Sequence, residues 1–174
     1  LWFGCGKGLC QLMGGRLRTW GPADGLPEDG WMNLLHTRDG GIWARSGHAL
    51  AHFDPKLSRF LAIPAPAYTL WAGEIALVED AQGRILTSTD RGIARWDGHA
   101  WRQWTSEDGL PDTAVRALFF DATGALWVGC SGRGLYRWVG YGQTEHWTRN
   151  SGLPSPVVWS LARDGTGRVL AATS

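Results

Sequence analysis

The 174-residue chain has no run of 18 apolar residues, so nothing in it reads as a membrane-spanning helix. Its first ten residues, LWFGCGKGLC, lack the charged-then-apolar order of a signal peptide. Neither sign of charge dominates: 17 Lys and Arg stand against 16 Asp and Glu, for a net charge of +1. That balance removes the bulk electrostatic reason to bind nucleic acid or an anionic membrane. Cysteine is scarce, three residues in all, too few and odd in number for a disulfide framework. The five histidines (His36, His48, His52, His99, His146) fall at scattered places, so no metal site and no cofactor is expected. A Gly-x-Ser-x-Gly elbow and a phosphate-binding glycine loop are absent, and no segment has the apolar period of an amphipathic helix.

What the chain has in excess is glycine and tryptophan, 25 and 12 residues. Aligned with itself, it repeats. Leu1-Trp2, Ile42-Trp43, Ile85-Leu86, Leu126-Trp127 and Val169-Leu170 follow one another at steps of 41, 43, 41 and 43 residues. Gly25-Leu26-Pro27, Gly109-Leu110-Pro111 and Gly152-Leu153-Pro154 precede these anchors at a fixed offset, where the remaining unit has Tyr68-Thr69-Leu70. Each unit reads as four short strands joined by Gly- or Asp-rich turns, the last strand carrying Trp20, Phe60, Trp104 or Trp147. Four antiparallel strands in about 42 residues describe a β-propeller blade. The fold class is therefore all-β: about four blades, expected to be a piece of a larger, seven-bladed type of propeller. The divisions fall at a partial blade 1–20, blades 25–60, 68–104 and 109–147, and a partial blade 152–174. The anchor tryptophans Trp2, Trp43 and Trp127 are expected to pack between blades.

Residues 95–138, RWDGHAWRQWTSEDGLPDTAVRALFFDATGALWVGCSGRGLYRW, resemble the two-component regulator propeller repeat in their Gly-Leu-Pro, Asp-x-x-Gly, Leu-Trp-Val-Gly and Gly-Leu-x-Arg elements. The resemblance implies the extracytoplasmic, periplasmic-side sensor region of a bacterial signalling protein. It also implies a small-molecule ligand, often a carbohydrate breakdown product, and downstream output such as a histidine kinase or diguanylate cyclase. It points to no nucleic acid and to no membrane insertion by this segment. A lyase-type or polysaccharide-active enzyme and a protein-docking scaffold stay open as alternatives, because one fold hosts many functions.

Antiparallel order puts the turn between strands two and three on the same end as the Gly-Leu-Pro connection. That turn carries Lys7, His48, Arg91 and Arg133, a recurrent cationic position suited to a carboxylate or sulfate on a sugar. An exposed turn also tolerates any solvated side chain, and duplication would copy it. Tyr68 and Trp71 lie in LAIPAPAYTL and just beyond it, a connection read as three residues longer than its counterparts, and are candidates for stacking on a sugar ring. Glu74 replaces the apolar residue of its column (Trp31, Val115, Val158) and is a candidate channel-facing acid. Cys5 and Cys130 share a column in separate units and cannot bridge. Cys5 and Cys10 flank one hairpin turn and can pair in an oxidising compartment, although small packing residues is the reading the odd count favours.

Overall fold

The computed structural model describes residues 1–66, 75–111, 113–140 and 143–174. Two compact units result, Leu1–Gly73 and Glu74–Ser174. The first holds a sheet of β1 (Trp2–Cys5), β2 (Gly8–Met13) and β3 (Arg16–Trp20). Beside it lies a sheet of β4 (Asn33–His36), β5 (Ile42–Arg45), β6 (Leu50–Asp54) and β7 (Arg59–Ile63). The second unit holds two four-stranded sheets and a strand pair. These are β8 (Leu77–Glu79), β9 (Ile85–Thr89), β10 (Gly92–Trp96) and β11 (Trp101–Trp104); then β12 (Val115–Phe120), β13 (Leu126–Cys130), β14 (Leu135–Gly140) and β15 (Gln143–Trp147); then β16 (Val158–Arg163) and β17 (Val169–Thr173). Chain neighbours pair antiparallel throughout these sheets, as propeller blades do.

In the sheets that begin with β8, β12 and β16, the turn after the first strand is shaped by one aspartate. Asp80, Asp121 and Asp164 each accept backbone N–H groups two and four residues on, which closes the turn and aims the chain into the second strand. The Gly-Leu-Pro element has an equally local cause. Before it runs a single 3-10 turn, Pro22–Asp24, Ser106–Asp108 or Arg149–Ser151, and the Gly is its left-handed cap, with φ of 84°, 86° and 97°. Thr105 and Thr148 accept from the N–H groups of Glu107 and Asn150, while Asp108 and Ser151 accept from the threonine N–H groups. The following leucine then drops inward: Leu26 and Leu110 are buried. These 3-10 turns are the one regular element that strand periodicity did not show.

Adjacent sheets are joined by the last-strand tryptophans. Trp20 meets Phe53 of the next sheet edge-on at 4.9 Å between centroids, and Trp104 meets Trp138 in the same way at 5.6 Å. Such pairs contribute roughly 0.5–1.5 kcal/mol beyond area burial. Of the anchor tryptophans, Trp2 joins this seam through Phe53 and Phe60. Trp43 instead stacks on its cross-strand partner His52, and Trp127 on Trp147, two strands away in the same sheet.

Register also relocates one length difference. Leu9, Ile93 and Leu135 pair with Trp20, Trp104 and Trp147, and the corresponding Leu50 pairs with Ile63, not with Phe60. The extra residues thus lie in the Asp54–Arg59 hairpin, where Ser58 takes a positive φ of 50°. They do not lengthen the connection that follows.

Cys5 and Cys10 form a disulfide, in place of the two packing residues that the odd count favoured. The reason is diagonal placement. Cys5 stands opposite Gly8 and Cys10 opposite Phe3, so both thiols share a face, with Cα atoms 5.8 Å apart and no side chain on Gly8 to intervene. Cys130 is buried, and burial pushes its thiol up to about 12; Tyr136 occupies the place that Cys10 has in the first sheet. Thiol titration of the denatured, unreduced protein is expected to find one reactive group and, after reduction, three. Three before reduction would mean an open pair.

Candidate functional site

The second-to-third-strand turns do meet the connections, and hydrogen bonds hold them there. Asp29 N–H donates to Lys7 O at 3.1 Å in the first unit. In the second, the N–H groups of Gly132 and Gly134 both donate to Pro156 O, at 3.1 and 2.7 Å. Each basic turn residue then has its own surroundings. Lys7 Nζ lies 3.8 Å from Glu28, with both side chains largely in water, a geometry that contributes little. His48 Nδ1 lies 3.6 Å from Asp29, whose carboxylate accepts from Ser46 Oγ at 2.6 Å. Burial would raise the Asp29 pKa, but the bonds from Ser46 and Gly30 and the nearby His48 bring it below its ordinary value. Serine here donates directly to the carboxylate, so the order of groups is not that of a nucleophile served by a histidine base. Arg91 sits on an exposed turn, its N–H donating to Thr89 Oγ1 at 3.3 Å.

Arg133 is different: it lines a cavity of about 370 Å³. The walls are Gly132 and Arg133 from the β13–β14 turn, Tyr136 and His146 from β14 and β15, Thr148, Arg149 and Asn150 from the last 3-10 turn, and Pro156. Tyr136 and His146 are cross-strand partners and stack face to face, 3.9 Å between centroids and 15° from parallel. His146 Nε2 stands 2.7 Å from Arg133 O, and because a carbonyl only accepts, Nε2 carries the proton. Burial raises the Tyr136 phenol, and the Arg133 charge opposes that rise. Of these the sequence marks Arg133, and Asn150 as a turn amide able to reach a sugar hydroxyl though better read as hydrated. Arg149, Tyr136 and His146 were legible only as departures from their repeat columns, which elsewhere hold Ser106, Ala94 and Gln103.

Tyr68, Trp71 and Glu74 lie outside the described residues. The column in which Glu74 stands is buried at its three other positions, Trp31, Val115 and Val158. In the next column Met32 and Trp159 are about half exposed, Ile75 is buried, and Arg116 stands with its guanidinium 4.2 Å over the Trp159 ring. Arg116 donates to Ser131 Oγ at 3.0 Å and Trp159 Nε1 to Ser174 Oγ at 2.8 Å, equivalent bonds in successive sheets. His48 and His52 are four residues apart, but a turn and a strand do not bring them together as a helix would, and His52 stacks on Trp43. Among the described residues no cluster of three or more His, Cys, Asp and Glu is placed to hold a metal, and no helix is long and apolar enough to cross a membrane.

Comparison with known proteins agrees with this architecture. Residues 109–132 match the two component regulator propeller family. No curated protein sequence matches. The extracellular domain of the putative hybrid two component system BT4673 from B. thetaiotaomicron superposes with a TM-score of 0.79 at 20% identity, covering 98% of this chain and 24% of that one. That of BT3049 from the same organism gives 0.78 at 14% identity, covering 98% and 24%. Virginiamycin B lyase from Staphylococcus aureus gives 0.74 at 15%, covering 95% and 56%. The chain thus spans about a quarter of the length of the two extracellular domains. Likeness at this identity establishes the fold, and the family match is to one stretch: residues 109–132 carry the two-component regulator propeller repeat, and the sheets of the chain are propeller blades.

Proposed function

We propose that this chain is a ligand-sensing propeller segment on the extracytoplasmic side of a bacterial signal-transduction protein, binding a saccharide without converting it and passing occupancy to output domains elsewhere in that protein. The observation that carries the reading is the regulator-propeller repeat at 109–132, directly followed in the chain by a cavity of ligand size at the turn end of the same sheet. The Cys5–Cys10 disulfide supports the compartment, since such bonds persist where the environment is oxidising. In cells, a membrane-impermeant alkylating reagent applied after reduction should reach Cys5 and Cys10 without lysis. A signalling reporter should respond to a saccharide mixture and lose that response when residues 109–174 are deleted. Consumption of the saccharide by the purified protein, or labelling only after lysis, would overturn the reading.

A further inference from the structure

The cavity beside Arg133 gathers the departures from the repeat. The 3-10 turn is acidic or neutral in the other sheets, Pro22-Ala23-Asp24 and Ser106-Glu107-Asp108, and becomes Arg149-Asn150-Ser151 here. At the cross-strand pair behind it, Cys10–Thr19 and Ala94–Gln103 give way to Tyr136–His146. The blade itself asks for none of these changes. The capping bonds of the turn are the same whether Glu107 or Asn150 occupies its middle, since only the backbone N–H of that residue takes part. The side chains at 149 and 150 are therefore available for another role, and both line the cavity.

From this convergence we propose that the cavity binds a carboxylate-bearing ring compound, and this deepens the ligand-sensing reading by naming the charge class of its ligand. Arg133 from the β13–β14 turn and Arg149 from the last 3-10 turn both line it, each guanidinium a planar fork of donors matched to a carboxylate. Asn150 adds a neutral donor and acceptor where the preceding sheet would present a repelling acid. The Tyr136–His146 stack gives the ring a flat wall, and the His146–Arg133 bond ties that wall to the arginine-bearing turn. A volume of about 370 Å³ admits one ring with its substituents.

Calorimetry on the complete polypeptide with three probes tests this: glucuronate, benzoate and glucose. Binding of glucuronate, benzoate or both, with glucose at least tenfold weaker, is the expected result, and the two acids tell a sugar ring from an aromatic one. Arg149→Gln should weaken the bound acid about tenfold or more. Asn150→Glu, which installs the residue the preceding repeat already tolerates, should abolish binding with an unchanged thermal melt. Equal binding of glucose, or acid binding indifferent to both substitutions, overturns the charge assignment while leaving the sensor reading intact. Binding of none of the probes overturns the site, whereas the sensor reading falls only with the labelling and reporter results.

Discussion

Gly134→Ala is expected to cost about 2–4 kcal/mol, and Gly132→Ala, two residues away in the same turn, about 1 kcal/mol. Both glycines hold positive φ, 82° and 93°, so each alanine meets the left-handed penalty of roughly 1–3 kcal/mol, with alanine near its lower end. Only at Gly134 would the added Cβ also press on the Trp147 carbonyl oxygen, a backbone atom of the neighbouring strand that cannot swing aside. At Gly132 nothing lies within 4 Å. Forcing that overlap adds roughly 1–3 kcal/mol, because the last strand must move off its partner. Denaturant titration of the two variants separates the terms. Equal losses would show that β14 and β15 do not approach as closely as described.

Asp121→Ala is expected to cost a similar amount, about 2–4 kcal/mol, through lost charged hydrogen bonds and the donors left behind. One carboxylate there accepts from the N–H groups of Thr123 and Ala125, from Thr123 Oγ1, from Trp127 Nε1 at 2.9 Å and from Arg137 Nε at 3.0 Å. Burial would raise its pKa, but the bonds from Thr123, Trp127 and Arg137 outweigh that and hold it well below the ordinary 3.8. The sign follows. A carboxylate with its folded pKa depressed adds stability above the unfolded pKa and loses it as pH falls through the folded value. Wild type and variant should differ fully at pH 7, and the gap should narrow only in acid below about pH 4. A gap that is constant into strong acid, or one that closes near neutrality, would show that the charge of Asp121 is not what holds the corner.

How far the sequence reached depended on how local each cause is. The strands, their turns and the propeller class are written in alternating residues and Gly or Asp at fixed intervals, which need no partner to be recognised. The Gly-Leu-Pro element was visible as a pattern, but its meaning as helical cap plus buried plug depends on Thr105 and Thr148 reaching back to their own turns. Pairing across strands was less legible. Phe60 seemed to end its unit because it is aromatic, yet the register sets Ile63 opposite Leu50. The seam was legible in part for the same reason: Trp2 joins it as expected, Trp43 and Trp127 stack within their own sheets, and Trp20 and Trp104 face the next sheet, which composition cannot show. Of the site, Arg133 was found because its turn recurs. Asn150 read best as a hydrated turn residue and Arg149 was not marked, and only the cavity they share with Tyr136 and His146 brings them together.

The register has a further consequence for how such a chain can vary. The interval from Trp20 to Ile42 recurs unchanged from Ile63 to Ile85, Trp104 to Leu126 and Trp147 to Val169. The slack sits elsewhere: Gly14-Gly15 closes one outer hairpin in two residues, Asp54–Arg59 needs four between its paired ends, and the turn that carries Arg133 has five residues between Gly129 and Leu135 where its counterparts have four. One end of each blade is thus a ruler and the other a spring. Residues can be gained or lost at the spring without shifting the turn face, so a site on that face is remade by substitution at measured positions, as at Arg149 and Asn150, together with the single residue added in the turn that carries Arg133.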